Sequence, residues 1–292
     1  MPTSTTSSDD SCAQAEVATQ AIGAHPALSG WFAPGEDLPD IAALETMRLA
    51  VQAEDGIERP RFTAQDTLLL ADGLHYEERI ARTNQLATRA ANAHDAFNAR
   101  AWLRHPELKR AVNARQVADI ARAGPRERTR GQCALTHFDE AGAIVWLSDV
   151  SLLRGWDAHD WVGLFREQQS AWGRHAGITM FGHAVLEHMW NGFLLPVAKC
   201  LVVNVAAPML ASHLTADSIV QWRAAEAAVS AAITQGALLA DPQELRPLPL
   251  AGIPGWHAQA GRDDFFSVTP CFQPVRAGRR YPEPWRLQLS ES

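Results

Sequence analysis

The sequence predicts an α+β fold: a single domain whose helices pack on a small mixed or antiparallel sheet, with long irregular wrapping segments. Stretches with apolar residues at helical spacing or a high Ala content, such as 41–52 and 218–239, predict helices. Short runs of β-branched and other apolar residues, such as 198–205, predict strands. The sequence contains no internal repeat and no low-complexity linker. We therefore expect one domain over residues 13–292, preceded by a disordered, Ser/Thr-rich tail at residues 1–12.

In the first half of the chain, helices are predicted at 13–22, at 41–52 (closed by Asp55-Gly56) and at 90–104. Phe62 lies near a predicted short strand, residues 75–80 fit either a strand or a helix, and 83–89 is predicted to be a polar connection. His105-Pro106 breaks the helical pattern, because a residue before proline disfavours the α region while proline suits the first turn of a new helix. A second helix is therefore expected from Pro106 to about Arg122.

In the second half, the apolar runs 132–138 and 143–147 flank Asp139-Glu140-Ala141-Gly142 and predict a β-hairpin. A strand at 177–181 is expected to lead into a helix at 182–190, and Asp217 is expected to cap the long helix that follows it. After Pro242 the sequence is rich in Pro and Gly and predicts irregular structure.

Composition argues against several classes of protein. The 26 basic and 33 acidic side chains give a formal net charge of −7, which argues against a general nucleic-acid binder, since such proteins neutralise phosphates. The basic runs 122–130 and 276–280 lie in stretches with Gly or Pro and are interpreted as solvated loops. The longest apolar run, 192–214, is interrupted by Pro196 and Lys199, so no membrane insertion is expected.

The cysteines and the missing motifs narrow the chemistry further. Cys12, Cys133, Cys200 and Cys271 are widely spaced and form no C-x-x-C pair, which predicts reduced thiols and a cytoplasmic location. Cys133 and Cys200 are placed in predicted apolar strands, where a thiol is usually inert. No G-x-S-x-G, G-x-G-x-x-G or Walker sequence is present, so neither a serine nucleophile elbow nor a nucleotide phosphate site is expected.

Eight polar side chains form the candidate site. His94 and Asn98 are four residues apart, as are Lys109 and Asn113, so each pair shares one face of its predicted helix. His183 and Glu187 have the same spacing. The complete candidate set consists of His94, Asn98, Lys109, Asn113, Asp139, Glu140, His183 and Glu187.

One use of this set is to bind a divalent metal through His94, Asp139, His183 and Glu187, because imidazole with carboxylate suits zinc, iron or manganese. The zincin sequence H-E-x-x-H is absent. A second use is metal-free acid–base chemistry, in which either histidine pairs with Asp139 or Glu187 while Lys109 stabilises an anionic group.

The same residues also fit a structural interpretation. Asn98 and Asn113 can tie helices together, Lys109 can pair with a nearby carboxylate, and His183 can be a core histidine with satisfied hydrogen bonds. The sequence thus supports two hypotheses. The protein is either a hydrolase-like enzyme with a His/Asp/Glu site, or a non-catalytic structural or partner-binding module whose polar cluster braces the fold.

These two hypotheses differ in what they require of the histidines. In the enzyme, His94 and His183 must converge on the predicted hairpin loop at Asp139-Glu140. A separation of more than about 12 Å between the two imidazoles would exclude acid, base and metal roles, which all need near-contact.

The sequence resembles the bacterial domain-of-unknown-function family 3025 over about residues 75–275. The matching blocks are Tyr76-Glu77-x-Arg79-Ile80, Thr88-Arg89, His94-Asp95-x-Phe97-Asn98-Ala99-x-x-Trp102, Pro106-x-x-Lys109 with Asn113, Asp139-Glu140-x-Gly142, Phe181-Gly182-His183-Ala184-x-x-Glu187 and Gly252-Ile253-Pro254-Gly255-Trp256. The chain departs from the family pattern at Ala93, His105 and Gln116, so no aromatic role is expected at 93 and no imidazole role at 116. The resemblance supports this segmentation and implies no activity.

Overall fold

The computed structural model describes residues 31, 37–124, 128–193, 195–206 and 216–288. Within these ranges helices pack on a small mixed sheet, and long irregular segments cover the C-terminal part, which confirms the predicted α+β fold class. The predicted tail at 1–12 and the predicted helix at 13–22 lie outside the described residues. None of the helices in the described ranges is long and apolar enough to cross a bilayer.

The N-terminal part contains five elements around a two-stranded parallel sheet. They are α1 (Ile41–Asp55), β1 (Arg61–Ala64), α2 (Thr67–Leu70), α3 (Tyr76–Thr83) and β2 (Gln85–Thr88). Asp40 caps α1, and Gly56 in the left-handed region ends it, at the predicted position. Residues 75–80, whose sequence fits either a strand or a helix, are mainly helical because α3 begins at Tyr76. Residues 83–89 are not a simple connection, because they contain β2, whose Leu86 to Thr88 are buried.

Two helices, α4 (Ala93–Arg104) and α5 (Pro106–Ala123), meet at His105. The Asn92 side chain caps α4 by accepting a hydrogen bond from the main-chain N–H of Asp95. His105 has φ −126° and ψ 55°, which ends the first helix, and Pro106 begins the second one, where its missing N–H is not needed. The predicted helix–break–helix arrangement is confirmed.

The predicted hairpin is wrong, because its first arm is a helix. Residues Arg130–Ala141 form α6, and β3 (Gly142–Leu147) follows it directly. Thr129 begins α6 with a capping box, in which its side chain accepts from the Gln132 N–H while the Gln132 side chain accepts from the Thr129 N–H. Cys133 therefore lies on a helix, whereas Cys200 lies on a strand as predicted.

The remaining chain completes the sheet and its covering layers. Its helices and strands are α7 (Leu152–Asp157), β4 (Ala176–Met180), α8 (His183–Trp190), β5 (Val197–Asn204), α9 (Ala216–Thr234), β6 (Leu245–Pro249), α10 (Phe265–Val268) and β7 (Trp285–Arg286). A π-helical turn at Gly163–Glu167 and short 3₁₀ turns at Gln169–Ala171, Pro242–Glu244 and Leu250–Gly252 join them. The strand and helix predicted at 177–181 and 182–190 are confirmed to within one residue.

The central sheet has the strand order β4–β3–β5–β6, and β7 also pairs with β5. Strands β3 and β5 are parallel, while β4 and β6 are antiparallel to their neighbours. All six residues of β3 are buried. Alternate β3 residues belong to two different apolar clusters, Val145 to one and Trp146 to the other, so both faces of this strand are covered.

Two glycines set the distance between α6 and α8. The main-chain N–H groups of Phe181 and Gly182 donate to the Gly142 carbonyl at 3.0 and 2.8 Å. A Cβ atom at Gly182 would lie closer than 3.0 Å to main-chain atoms of Ala141 and Gly142. A residue with a side chain therefore does not fit where α8 starts beside the end of α6.

Replacing Gly182 with alanine is expected to lower the free energy of unfolding by about 1–3 kcal/mol, because the added methyl group forces main-chain segments apart. Urea unfolding monitored by circular dichroism measures this change. Gly261→Ala is the matched control, since a Cβ there meets no atom within 4 Å. Equal stability of the two variants would show that the contact between α6 and α8 is not tight.

Candidate functional site

The candidate residues lie on four helices, α4, α5, α6 and α8. Helix α8 packs against both α4 and α6. This packing brings His94 on α4, Glu140 on α6 and His183 on α8 together, although the two histidines are 89 positions apart in the sequence. The other candidates lie beside them: Asn98 on α4, Lys109 and Asn113 on α5, Asp139 on α6 and Glu187 on α8.

The two imidazoles are in direct contact. Nε2 of His94 lies 3.1 Å from Nε2 of His183, and the ring planes meet at 72°. An Oε2 atom of Glu140 lies 3.6 Å from the same His183 nitrogen. One ligand atom from each of these three residues falls within 4.8 Å of the other two, so the group is compact enough to hold a metal ion.

A second layer of carboxylates lies behind the imidazoles. Oε2 of Glu187 lies 2.9 Å from Nδ1 of His94, and Oδ2 of Asp139 lies 3.9 Å from Nδ1 of His183. Glu140 is thus the carboxylate at the shared Nε2 atoms, while Asp139 and Glu187 face the opposite ring nitrogens. The metal-ligand set predicted from the sequence placed Asp139 and Glu187, not Glu140, beside the metal.

Burial controls the charges of the site. It lowers the pKa of His183 to about 3, so this imidazole is neutral at pH 7 and offers a lone pair. Burial alone would raise the pKa of Asp139, but the positive charge of Lys109 and its hydrogen bond outweigh burial and lower that pKa. Lys109 Nζ donates to Asp139 Oδ1 at 2.5 Å. Burial raises the pKa of Glu140.

The hydrogen-bond pattern distinguishes an empty site from one holding a cation. If Glu187 accepts the Nδ1 proton of His94, then Nε2 of His94 carries a lone pair. If His94 is uncharged and no cation is bound, Nε2 of His183 must donate to it, and the buried Nδ1 of His183 then directs its own lone pair towards Asp139. Among the described residues, that Nδ1 atom has no hydrogen-bond partner within 3.5 Å. Two neutral imidazoles without a cation therefore leave an unfavourable contact inside the protein.

A cation between the two Nε2 atoms removes this conflict. Both Nε2 lone pairs then bind the cation, and each Nδ1–H group faces a carboxylate, Glu187 for His94 and Asp139 for His183. Tetrahedral zinc bound to two imidazoles at about 2.0–2.1 Å holds its nitrogens about 3.3 Å apart, close to the observed 3.1 Å. Two imidazoles with one carboxylate suit zinc, iron or manganese.

The site is accessible from one side. The side chains of His94 and Glu140 are 34% and 42% exposed, whereas that of His183 is 3% exposed. A small molecule from solvent can therefore approach His94 and Glu140 while His183 is held in the core.

The remaining candidates connect helices. Asn98 Nδ2 donates to the Tyr76 hydroxyl at 2.7 Å, and Asn113 Nδ2 donates to Glu77 Oε2 at 2.6 Å. These bonds join α4 and α5 to α3. Lys109 Nζ lies 5.7 Å from the ring centroid of Trp102 and 5.7 Å from that of Phe181, distances typical of cation–π contacts.

Tyr76 and Glu77 were absent from the candidate set predicted from the sequence. Burial raises the pKa of Glu77 to about 7, against the lowering effect of the bond from Asn113. Burial also raises the pKa of Tyr76. One signal in the sequence could have identified these two residues, because Tyr76-Glu77 belongs to a block that matches the family pattern. Their position in the sequence does not indicate that Asn98 and Asn113 are their hydrogen-bond partners.

The raised pKa of Glu77 predicts a pH-dependent contribution to stability. The folded state holds the Glu77 proton more tightly than the unfolded chain, so the stabilising contribution is complete below about pH 4.5 and is lost as the pH rises through about 7. Between pH 4.5 and 8, the free energy of unfolding of Glu77→Gln should rise by about 1–3 kcal/mol relative to that of the wild type. This range is reduced to allow for the partial exposure of Glu77. Urea unfolding across this range measures the difference.

The control for Glu77→Gln is Glu78→Gln, which removes the neighbouring carboxylate that pairs with the exposed Arg82. Its stability relative to the wild type should vary much less with pH. If the free energy of unfolding depended on pH in the same way for Glu77→Gln and the wild type, the Glu77 carboxylate would not be desolvated.

The fold and the site together define an α+β protein with a cluster of two histidines and a glutamate where three helices meet. The family model described as "Protein of unknown function (DUF3025)" matches residues 60–276, close to the range predicted from the sequence, and the chain belongs to this family. Comparison with curated proteins and with solved structures finds no match.

Proposed function

We propose that this protein is a metal-dependent hydrolase in which His94, Glu140 and His183 bind one divalent transition metal. The observation that carries the proposal is the 3.1 Å contact between the Nε2 atoms of His94 and His183, with a carboxylate facing each Nδ1 atom. This layered arrangement is characteristic of metal-binding histidines. A cytoplasmic location is part of the proposal, and the free thiols of Cys133, Cys200 and Cys271 are consistent with it.

The three residues leave coordination positions open, as catalytic metal sites do. A bound metal supplies a Lewis acid and a water molecule of lowered pKa, which can attack a carbonyl or phosphoryl centre. Glu187 orients the His94 ring through the 2.9 Å contact with Nδ1, and Asp139 faces Nδ1 of His183 at 3.9 Å. Lys109 compensates the charge of Asp139, so that this carboxylate stays ionised next to a neutral imidazole.

Metal analysis of the protein purified without a His tag tests the proposal. We expect about one equivalent of zinc or manganese, and hydrolysis of p-nitrophenyl acetate or bis(p-nitrophenyl) phosphate that is lost on chelation and restored by the metal. Absence of tightly bound metal, with no binding on titration, would contradict the metal site. Bound iron without hydrolysis would retain the site and reject the reaction class, because two histidines and one carboxylate also occur in iron oxygenases.

A second candidate function is a non-catalytic module in which the polar cluster braces the fold. The bonds from Asn98 to Tyr76 and from Asn113 to Glu77 favour it, because they connect helices. This alternative predicts that no metal copurifies and that His94→Ala appreciably lowers the melting temperature. The two functions therefore give opposite results in the metal analysis.

A further inference from the structure

A second cavity lies apart from the histidine cluster, on strands β5 and β6. Its volume is about 470 Å³, within the range of small-molecule sites. Lys199 and Val197 of β5 line it opposite Pro247 and Pro249 of β6, with which they pair in register. The C-terminal irregular segment contributes further walls, including Arg276, Arg279 and Tyr281.

Three cations converge on this cavity in a protein of net charge −7. They are Lys199, Arg276 and Arg279, and no carboxylate of a described residue lines the cavity with them. Within the described part of the chain, neither Lys199 nor Arg276 forms a side-chain hydrogen bond or ion pair. Burial, followed by the charges of Arg276 and Arg279, lowers the pKa of Lys199. The three positive charges therefore repel each other without compensation from the wall.

Arg279 is held in place by neutral groups. Its guanidinium donates to the carbonyls of Gln243 and Leu245 at 3.3 and 3.4 Å, and it lies 4.5 Å from the Tyr281 ring centroid. The nearby Asp241 carboxylate is paired with Arg130 instead. Arg279 thus keeps its positive charge available while its position is fixed.

Most of the remaining wall is apolar or aromatic, and Gln273, His137 and His159 are its polar side chains. It includes Trp161, Leu245, Cys271 and the prolines at 242, 247, 249 and 274. Tyr281 is fixed by His159, whose Nε2 lies 3.1 Å from the Tyr281 hydroxyl oxygen. A ligand that fits this cavity must offer negative charge to the cations and an apolar body to the remaining wall.

We propose that this cavity binds a small organic anion, with a phosphate or carboxylate group at Lys199, Arg276 and Arg279 and an apolar body against Trp161 and the prolines. This site does not rest on the proposed hydrolase function. The basic run 276–280 is irregular and Arg276 and Arg280 are exposed, as predicted for a solvated loop, and Arg276 and Arg279 also line the cavity.

Isothermal titration calorimetry with four probes tests the proposal. Phenylphosphonate and benzoate combine charge with an apolar ring, inorganic phosphate has charge alone, and benzamide has the ring alone. We expect phenylphosphonate or benzoate to bind at least about tenfold more tightly than benzamide, because hydrogen bonds to charged groups are the stronger ones. The tighter of the two anions identifies the preferred acid group. No difference from benzamide would overturn the proposal.

Two arginine variants assign any binding to this cavity. Arg276→Gln should weaken the tighter anion by about tenfold, whereas Arg280→Gln removes the same charge from a residue that does not line the cavity and should change the affinity by less than about twofold. The proposal would be overturned if Arg276→Gln left the affinity unchanged, or if Arg276→Gln and Arg280→Gln lowered it equally. A probe that binds at the histidine cluster instead would give one of these results. Lys199→Met, which retains the apolar stem of the lysine, should also lower the affinity for the anion. If Lys199→Met does not fold, the result for Arg276→Gln decides the outcome.

Discussion

His183→Ala is expected to lower the affinity for zinc by more than about 100-fold and to abolish metal-dependent hydrolysis. Loss of a second-layer partner typically weakens metal binding by about 10–100-fold, and this variant removes a direct ligand. The His183 ring is also buried, so no solvent-exposed side chain of the same helix can replace it without rearrangement. Metal content per protein and calorimetric titration with zinc measure the loss.

Two further variants on α8 make this result specific. His188→Ala removes an exposed histidine from the same helix and should retain the metal. Glu187→Gln removes the charge that faces His94 Nδ1. It should lower the affinity for zinc by about 10–100-fold, which is a smaller loss than that expected for His183→Ala. Equal retention of zinc by His183→Ala and the wild type would exclude the proposed ligand set.

Lys109→Met is expected to lower the free energy of unfolding by about 3 kcal/mol at pH 7, because it leaves the Asp139 charge without its partner. The Lys109 side chain is 4% exposed and that of Asp139 is 20% exposed, so solvent replaces the lost interaction poorly. Methionine retains most of the apolar contact with Trp102 and Phe181. Urea unfolding with linear extrapolation measures the change.

The double variant Lys109→Met/Asp139→Asn separates charge from packing. It should recover a large part of the lost stability, because an amide costs less than an unpaired carboxylate in this position. Arg110→Met, which removes the adjacent exposed cation, should cost less than about 1 kcal/mol. If the double variant is as unstable as Lys109→Met alone, the effect arises from packing around the lysine stem.

The local sequence was sufficient to predict most of the helices. Gly56 and Pro106 fix helix ends through main-chain geometry, and the structure follows both. The hairpin failed because residues 132–138 are apolar enough for a strand, while the competing signal was the capping box formed by Thr129 and Gln132. Strand β2 was missed because its four residues show no alternation of polar and apolar side chains, and three of them are buried.

The residues that meet in the candidate site could be named from the sequence, but their arrangement could not. The spacing of His183 and Glu187 placed both on one helix face, and this placement remains in the structure. Which carboxylate stands beside the imidazoles depends on how α6 and α8 approach each other, and that approach is set by main-chain contacts of Gly142 and Gly182. Sequence spacing contains no information on such a contact between distant segments. The cation cavity was missed for the same reason, since Lys199 and Arg276 come together only in the folded chain.

The origin of the three proposed ligands on three separate helices has a thermodynamic consequence. The unfolded chain cannot assemble His94, Glu140 and His183, so a metal bound there acts as a ligand of the native state alone. Free metal at about 100 times its dissociation constant would then add about 2.7 kcal/mol to the free energy of unfolding. The melting temperature of the protein would then rise with the concentration of free metal in the cell. The fraction of folded protein would depend on that concentration even when no substrate is present.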